Sequence, residues 1–316
     1  MKLHGLDTQI AAFRAAMAGD RLHHAWLLAG PRGVGKASFA DFAARLLLNA
    51  EHSESQGAKL IDAGSHPDFR RLERLPNEKT GNLARNITVD QVRLLRALFA
   101  TGTSISDRRV IIIDSIDDME RGAANALLKS LEEPPASTIF LLVSHQPGRL
   151  LPTIRSRCRT LMFASLDDAA MTSVLNEQLP ELNPAQRTGL IASANGSPAT
   201  ALAYADLDIA AFDAALAELA HSGDPSNAVR SKLAQSLSLK AALPRYEAFL
   251  GRAPAFIADH ARRSNGPALD AALTAWSKAR ALSQIAIPQS LIAETVVFEM
   301  AGYVASLATA KRAAKA

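Results

Sequence analysis

The sequence predicts an α/β region built on a parallel sheet, followed by a region that is helical throughout. Three observations carry this prediction. Up to Phe163, short apolar runs alternate with stretches of helical spacing, the rhythm of strands joined by crossover helices. A glycine-rich loop follows the first of those runs and opens a helix. Beyond Phe163 the apolar runs stop, and the chain turns rich in Ala and Leu at helical spacing.

In order along the chain, the first strand is expected at Ala25 to Ala29 (AWLLA), and the helix after the glycine loop at Lys36 to Leu48. A second strand is expected at Asp68 to Glu73, then a helix over Val89 to Ala100 with Thr88 as its cap. Val92, Leu95 and Phe99 form the buried stripe of that helix, and Arg93 and Arg96 share another face, three residues apart. The run RVIIID (Arg109 to Asp114) reads as a buried strand. Gly122 to Glu133 reads as a helix stopped by Pro134 and Pro135, and Thr138 to Ser144 and Arg159 to Phe163 as two more strands. Helices fill the gaps. Ser165, ahead of an acidic first turn, is expected to cap the next helix. A small helical unit then runs to about Asp206, and a third stretch from Leu207 is broken at Gly223-Asp224-Pro225, at Pro244 and at Arg262 to Pro267. The tail from Ala308 frays or extends the last helix.

A chain of 316 residues, 48% hydrophobic and 21% charged, has an ordinary globular composition and room for two or three domains. The longest apolar runs, Val110 to Ile113 and Ile139 to Val143, fall far short of the roughly 20 residues of a spanning helix, and the N-terminus has no apolar signal core. The expectation is a cytoplasmic protein with no membrane partner. A single cysteine, Cys158, excludes an internal disulfide and a cysteine-rich zinc site. His23 and His24 are adjacent, and side chains adjacent on a regular element point apart, which disfavours a metal pair. The formal charge of +4 is unevenly spread: Arg70 to Arg109 holds nine basic residues against four acidic, and the rest of the chain is close to neutral. That segment suits a nucleic-acid backbone or a set of solvated helix faces, and charge alone does not separate them.

The loop GPRGVGKAS spans Gly30, Pro31, Arg32, Gly33, Val34, Gly35, Lys36, Ala37 and Ser38, and it matches G-x-x-x-x-G-K between a strand and a helix. Its glycines let backbone amides converge on phosphate oxygens, Lys36 adds a charge, and the helix N-terminus adds its dipole. Ala37 stands where a Ser or Thr would hold magnesium, and Ser38 is turned about 100° further around the helix. Asp114, at the end of a buried strand, is the candidate second anchor for the ion, and Ser115 stands where an activating Glu is expected. Nucleotide binding is therefore expected and hydrolysis doubted.

Two stretches make the chain resemble a known family. NALLKSLEEPP (Asn125 to Pro135) and FLLVSHQPGRLLPTIRSRC (Phe140 to Cys158) resemble the clamp-loader branch of the AAA+ ATPases. The resemblance is specific over the ATPase region and rests on domain order alone beyond it. It implies a Rossmann-like AAA+ nucleotide-binding domain over residues 1–164, a helical lid over 165–206 and an all-α collar over 207–316. It also implies a five-subunit ring that loads a sliding clamp onto primed DNA, with the other subunits, the clamp and the DNA as partners.

In such a ring Arg157, in the SRC motif, would be an arginine finger for the neighbouring subunit's ATP; a solvated Arg-rich turn with Arg155 and Arg159 is the rival reading. Ser144 matches the first sensor position or is a strand-end serine bonded to backbone. The second sensor Arg is missing from GSPATALA (Gly196 to Ala203), and Arg93 and Arg96 become candidate DNA contacts. ATP or ADP is the expected ligand, with magnesium through Asp114 if nucleotide is bound. No zinc is expected, because Ala50 to Phe69 lacks the four cysteines that many bacterial relatives carry there. The implied role is a subunit that supports ATP-dependent clamp loading with little hydrolysis of its own. The alternative is a hydrolysis-competent AAA+ ATPase.

Overall fold

The protein is described by a computed structural model covering residues 3–19, 22–76, 83–207 and 209–313, apart from the side chains of 210, 240 and 309–313. Glu78 and Lys79 of the basic segment, and the last three residues of the tail, lie outside the described residues. The chain forms two compact units, Met1–Leu182 with Asn195–Thr200, and Asn183–Ala194 with Ala201–Ala316. The segment expected as a lid, 165–206, is divided between them.

In the first unit, five parallel strands, β1 (Ala25–Ala29), β2 (Phe69–Glu73), β3 (Arg109–Asp114), β4 (Thr138–Ser144) and β5 (Arg159–Met162), lie in the order β2-β3-β4-β1-β5. β1 and β4 are buried along their whole length and β3 up to its last residue, which is why their sequences are continuous apolar runs rather than alternating ones. β5 is an edge strand with mostly exposed residues. It stops at Met162, although Phe163 N still donates to Ala29 O at 2.8 Å. The helices of this unit are α1 (Asp7–Ala18), α2 (Lys36–Leu47), α3 (Gln56–Asp62), α4 (Val89–Phe99), α5 (Arg121–Glu132), α6 (Pro152–Arg155) and α7 (Asp168–Gln178).

Alternate strand residues face opposite layers. Leu27, Ile111, Ile113, Phe140 and Leu142 join Val92 and Leu95 of α4 and Ala123, Leu127 and Leu131 of α5 in one core. Phe99 packs against this core only half-buried. On the other face Phe13 of α1 packs edge-on against Trp26, with ring centroids 5.1 Å apart, and against Phe39 of α2 at 5.8 Å, while Phe39 meets Phe163 at 5.2 Å.

Local signals set the ends of these helices. Thr88 caps α4 as expected, and the structure adds the reciprocal bond to Gln91 that completes a capping box. The cap of α7 is Asp167, not Ser165: its carboxylate accepts from Ala170 N at 2.8 Å, and the helix starts two residues later than expected. His23 and His24 do not point apart. They precede β1 on irregular backbone, and their rings stack with centroids 4.6 Å apart.

The remaining helices are α8 (Pro184–Ala194), α9 (Pro198–Tyr204), α10 (Ile209–Ser222), α11 (Ala228–Leu237), α12 (Leu243–Arg262), α13 (Gly266–Ala286) and α14 (Ala293–Ala313). In the second unit α14 packs against α10, α11, α12 and α13, and its Val296, Val297, Met300, Ala301 and Val304 are all buried. The expected breaks appear: α10 ends before Gly223, Pro244 sits in the first turn of α12, and α13 begins at Gly266. Asp224 is buried and accepts from the amides of Val229 and Arg230, satisfying the first turn of α11. Arg252 and Asp213 form a two-pronged ion pair at 2.6 and 3.0 Å. Among the described residues no helix is long and apolar enough to cross a membrane.

Candidate functional site

The glycine loop runs from the C-terminal end of β1 into α2, the end of an open parallel sheet where ligands are held. Gly33 has φ +78°, and a Cβ there would lie 2.3 Å from Ser197 Oγ; at Gly30 it would lie 2.1 Å from Phe163 O. Both positions admit only glycine. Ser197 donates its hydroxyl to Arg32 O at 3.2 Å, and Ala199 N donates to Gly33 O at 3.2 Å. The Gly196 to Thr200 segment thus docks on the loop through the carbonyls of Arg32 and Gly33. Sequence reasoning examined this segment for a missing arginine and missed its docking role.

Lys36 is 2% exposed; its Nζ donates to Gly30 O at 2.7 Å and to Pro31 O. Burial pulls its amine down to about 8, against the opposing pull of Asp117 and Asp114. Pro31 and Arg32 are exposed, Val34 is buried, and Ala37 and Ser38 are half-buried in the first turn of α2, whose cap is Gly35.

Asp114 ends β3 and pairs with Arg71 of β2 at 3.2 Å, while Arg71 also binds Asp41 of α2. Burial pushes the Asp114 carboxyl above its ordinary value, and Arg71 only partly offsets this. Magnesium would meet a carboxylate already engaged by a guanidinium and a methyl group at position 37. This donor set does not fit a metal-assisted hydrolytic site. Among the described residues no group of three or more His, Cys, Asp or Glu is placed to hold a metal ion.

Asp117 joins the strand ends. It accepts from Ser144 Oγ at 3.0 Å, from His145 N, and from Gln146 N at 3.2 Å. The Ser144 hydroxyl is therefore directed at a carboxylate rather than at backbone. Ser115 is buried and bonded to Asp118 at 3.2 Å, far from the chemistry of an activating Glu. His145 lies in the same cluster, and burial together with Lys36 pulls it down to about 4, so it is neutral at pH 7. The acidic run after Ser115 was visible in sequence. Its direction depended on the 3-10 turn Ile116–Asp118, which the sequence did not display.

Arg157 lies away from these groups in sequence, just past α6. Its Nη1 donates to Thr153 O at 2.8 Å, and its Nη2 pairs with Glu132 Oε1 at 2.8 Å. Arg155 is exposed, and Arg159 stacks over the Trp26 ring at 5.0 Å, so the three arginines have different settings. Cys158 packs against the sheet core, and burial pushes its thiol up to about 12, which makes it a packing residue.

Arg93 and Arg96 are both exposed on α4, and Arg93 pairs with Asp90 at 2.9 Å. Much of the remaining basic segment is spent internally. Arg70 binds the carbonyls of His66 and Phe69, Arg74 pairs with Asp118, and buried Arg109 binds the carbonyls of Thr101 and Gly102.

Comparison with known proteins narrows the family. Residues 5–167 match the family model described as DNA polymerase III, delta subunit, just over half of the chain. A DNA polymerase III subunit delta prime of Pseudomonas aeruginosa is 41% identical over 197 residues, covering 60% of this chain and 58% of that one. The delta prime subunit of Bacillus subtilis is 38% identical over 164 residues, covering 50% and 47%. That of Escherichia coli is 32% identical over 195 residues, covering 60% and 56%. The chain thus spans about half the length of the curated relatives it matches. The parallel sheet with helices on both faces and the loop at its C-terminal edge agree with these matches, and the chain belongs to the DNA polymerase III delta subunit family.

Proposed function

We propose that this protein supports ATP-dependent loading of a sliding clamp on primed DNA as a subunit that completes a neighbour's ATP site and hydrolyses little ATP itself. The observation that carries the reading is the contrast between its two candidate centres. At its own loop the position after Lys36 is a methyl group, Asp114 is tied to Arg71, and Ser115 is bonded to Asp118. At the other, a partly exposed guanidinium is held in place beyond the end of α6.

The chemistry assigned to this chain follows from those groups. Loop amides, Lys36 and the N-terminus of α2 bind nucleotide phosphates and keep the loop in shape. The Arg157 guanidinium meets the γ-phosphate of ATP on the adjacent subunit and stabilises the negative charge that develops there. Ser144, fixed by Asp117, keeps the end of β4 aligned with the loop. In this reading the chain divides functionally into the AAA+ domain 1–164, the lid 165–206 and the collar 207–316. It works in the cytoplasm, and Arg93 and Arg96 face the duplex phosphates.

The test of the first half of the claim uses the purified chain alone. Negligible ATP turnover, together with nucleotide-dependent stabilisation in a thermal melt, is expected. Robust turnover that Lys36→Ala abolishes would favour the alternative, a hydrolysis-competent AAA+ ATPase.

A further inference from the structure

We propose that Glu132 is a positioning residue that presets the Arg157 guanidinium for the neighbouring subunit's γ-phosphate, an inference that rests on the trans-acting role proposed above. The two residues come from different elements. Glu132 is the last residue of α5, just before Pro134 and Pro135 end that helix, and Arg157 follows the short α6.

The Glu132 carboxylate accepts from Nη2 at 2.8 Å, and the Thr153 carbonyl accepts from Nη1 at 2.8 Å, with Ser156 Oγ a further 3.4 Å contact on Nη1. Both terminal nitrogens are thereby fixed from two sides, while the side chain keeps 34% of its surface accessible. A free arginine side chain samples many rotamers, and one anchored beforehand loses less of that freedom on meeting a phosphate.

Stability does not account for the pair. Glu132 is 47% exposed, and an ion pair this open to water adds little to stability. What the contact supplies is direction: it selects one rotamer of a group whose effect on a transition state depends on placement within about 1 Å. Arg159 is held instead by the Trp26 ring, so the carboxylate anchor distinguishes Arg157 from that neighbouring arginine.

The experiment measures steady-state ATP turnover in a reconstituted clamp loader containing this chain, at saturating clamp and primed DNA. Glu132→Ala is expected to lower kcat about tenfold with KM for ATP unchanged, since the loss falls on the transition state. Glu132→Gln keeps an acceptor oxygen in place and is expected to retain most of the rate. Glu132→Lys repels the guanidinium and is expected to fall as far as Arg157→Ala. Placed in the Arg157→Ala background, Glu132→Ala should add no further loss, because the carboxylate acts only through the arginine. Unchanged melting temperatures would confirm that each variant folds. A normal rate in Glu132→Ala while Arg157→Ala is strongly impaired would overturn the proposal, as would losses that simply multiply. A loader indifferent to Arg157→Ala would remove the trans-acting role itself, and the positioning role with it.

Discussion

Lys36 shows how a single residue links the loop's geometry to measurable behaviour. Its amine is buried against the carbonyls of Gly30 and Pro31 and pulled down to about 8, below the ordinary lysine value of about 10.4. In the window between those two values the unfolded chain binds more protons than the folded one, so this group makes stability rise as pH climbs from about 8 to about 10. Lys36→Met should flatten that rise in urea titrations. A bound phosphate reverses the balance by favouring the protonated amine. Nucleotide binding should therefore take up a proton above pH 8, and affinity should weaken with rising pH by up to about tenfold per unit. Titration calorimetry at pH 7 and pH 9 in buffers of different ionisation enthalpy measures this; equal affinities would show that Lys36 does not meet the phosphate. The loop itself was fully legible in the sequence, because each of its parts is a local requirement of residue type. Asp117 was not. Its contacts with Ser144, His145 and Gln146 join segments that only the sheet brings together.

At the scale of elements, Asp68 governs how the 104–106 loop meets the start of β2. Its carboxylate, fully buried, accepts from the amides of Ser104, Ile105 and Ser106 at 2.8, 2.9 and 3.0 Å. Burial alone would raise its pKa; these amides outweigh that and hold it below the usual carboxylate range. The stability it supplies is complete above about pH 4 and is lost as pH falls through the depressed value. Asp68→Ala should cost about 1–3 kcal/mol at pH 7 by stranding those amides, and the difference from the parent should shrink in melts taken at pH 3. A second prediction belongs to α4. Reversing charge at both Arg93 and Arg96 should weaken primed-DNA binding by the assembled loader and flatten its salt dependence; unchanged binding would return these side chains to plain solvation.

The strands β1, β3 and β4 were legible to the residue, because a parallel strand covered on both faces must be an unbroken apolar run. The start of α7 was misplaced because two side chains compete to cap it, and the Asp167 carboxylate reaches the amide of Ala170. Phe99 follows the apolar spacing of α4 yet lies at its last turn, where the core no longer covers it fully.

The molecule as a whole pairs a sheet-based unit carrying the loop and Arg157 with a helical unit organised around α14. The first was legible because a few local motifs dictate its chemistry. The second was legible only as helical, since Ala- and Leu-rich helices of similar spacing do not specify in sequence which of them will pack together. The same difference governs the candidate site. Residues in the phosphate loop announce their role by type and order, whereas Glu132 lay inside a recognised motif with nothing in sequence to show that it would hold Arg157. The central claim, that this protein acts on ATP held by a neighbour, is tested most directly by ATP turnover in a clamp loader assembled with Arg157→Ala. The account predicts a loss of the order of ~10³ at the affected site, with assembly intact. An assembled ring that keeps its full rate would contradict it.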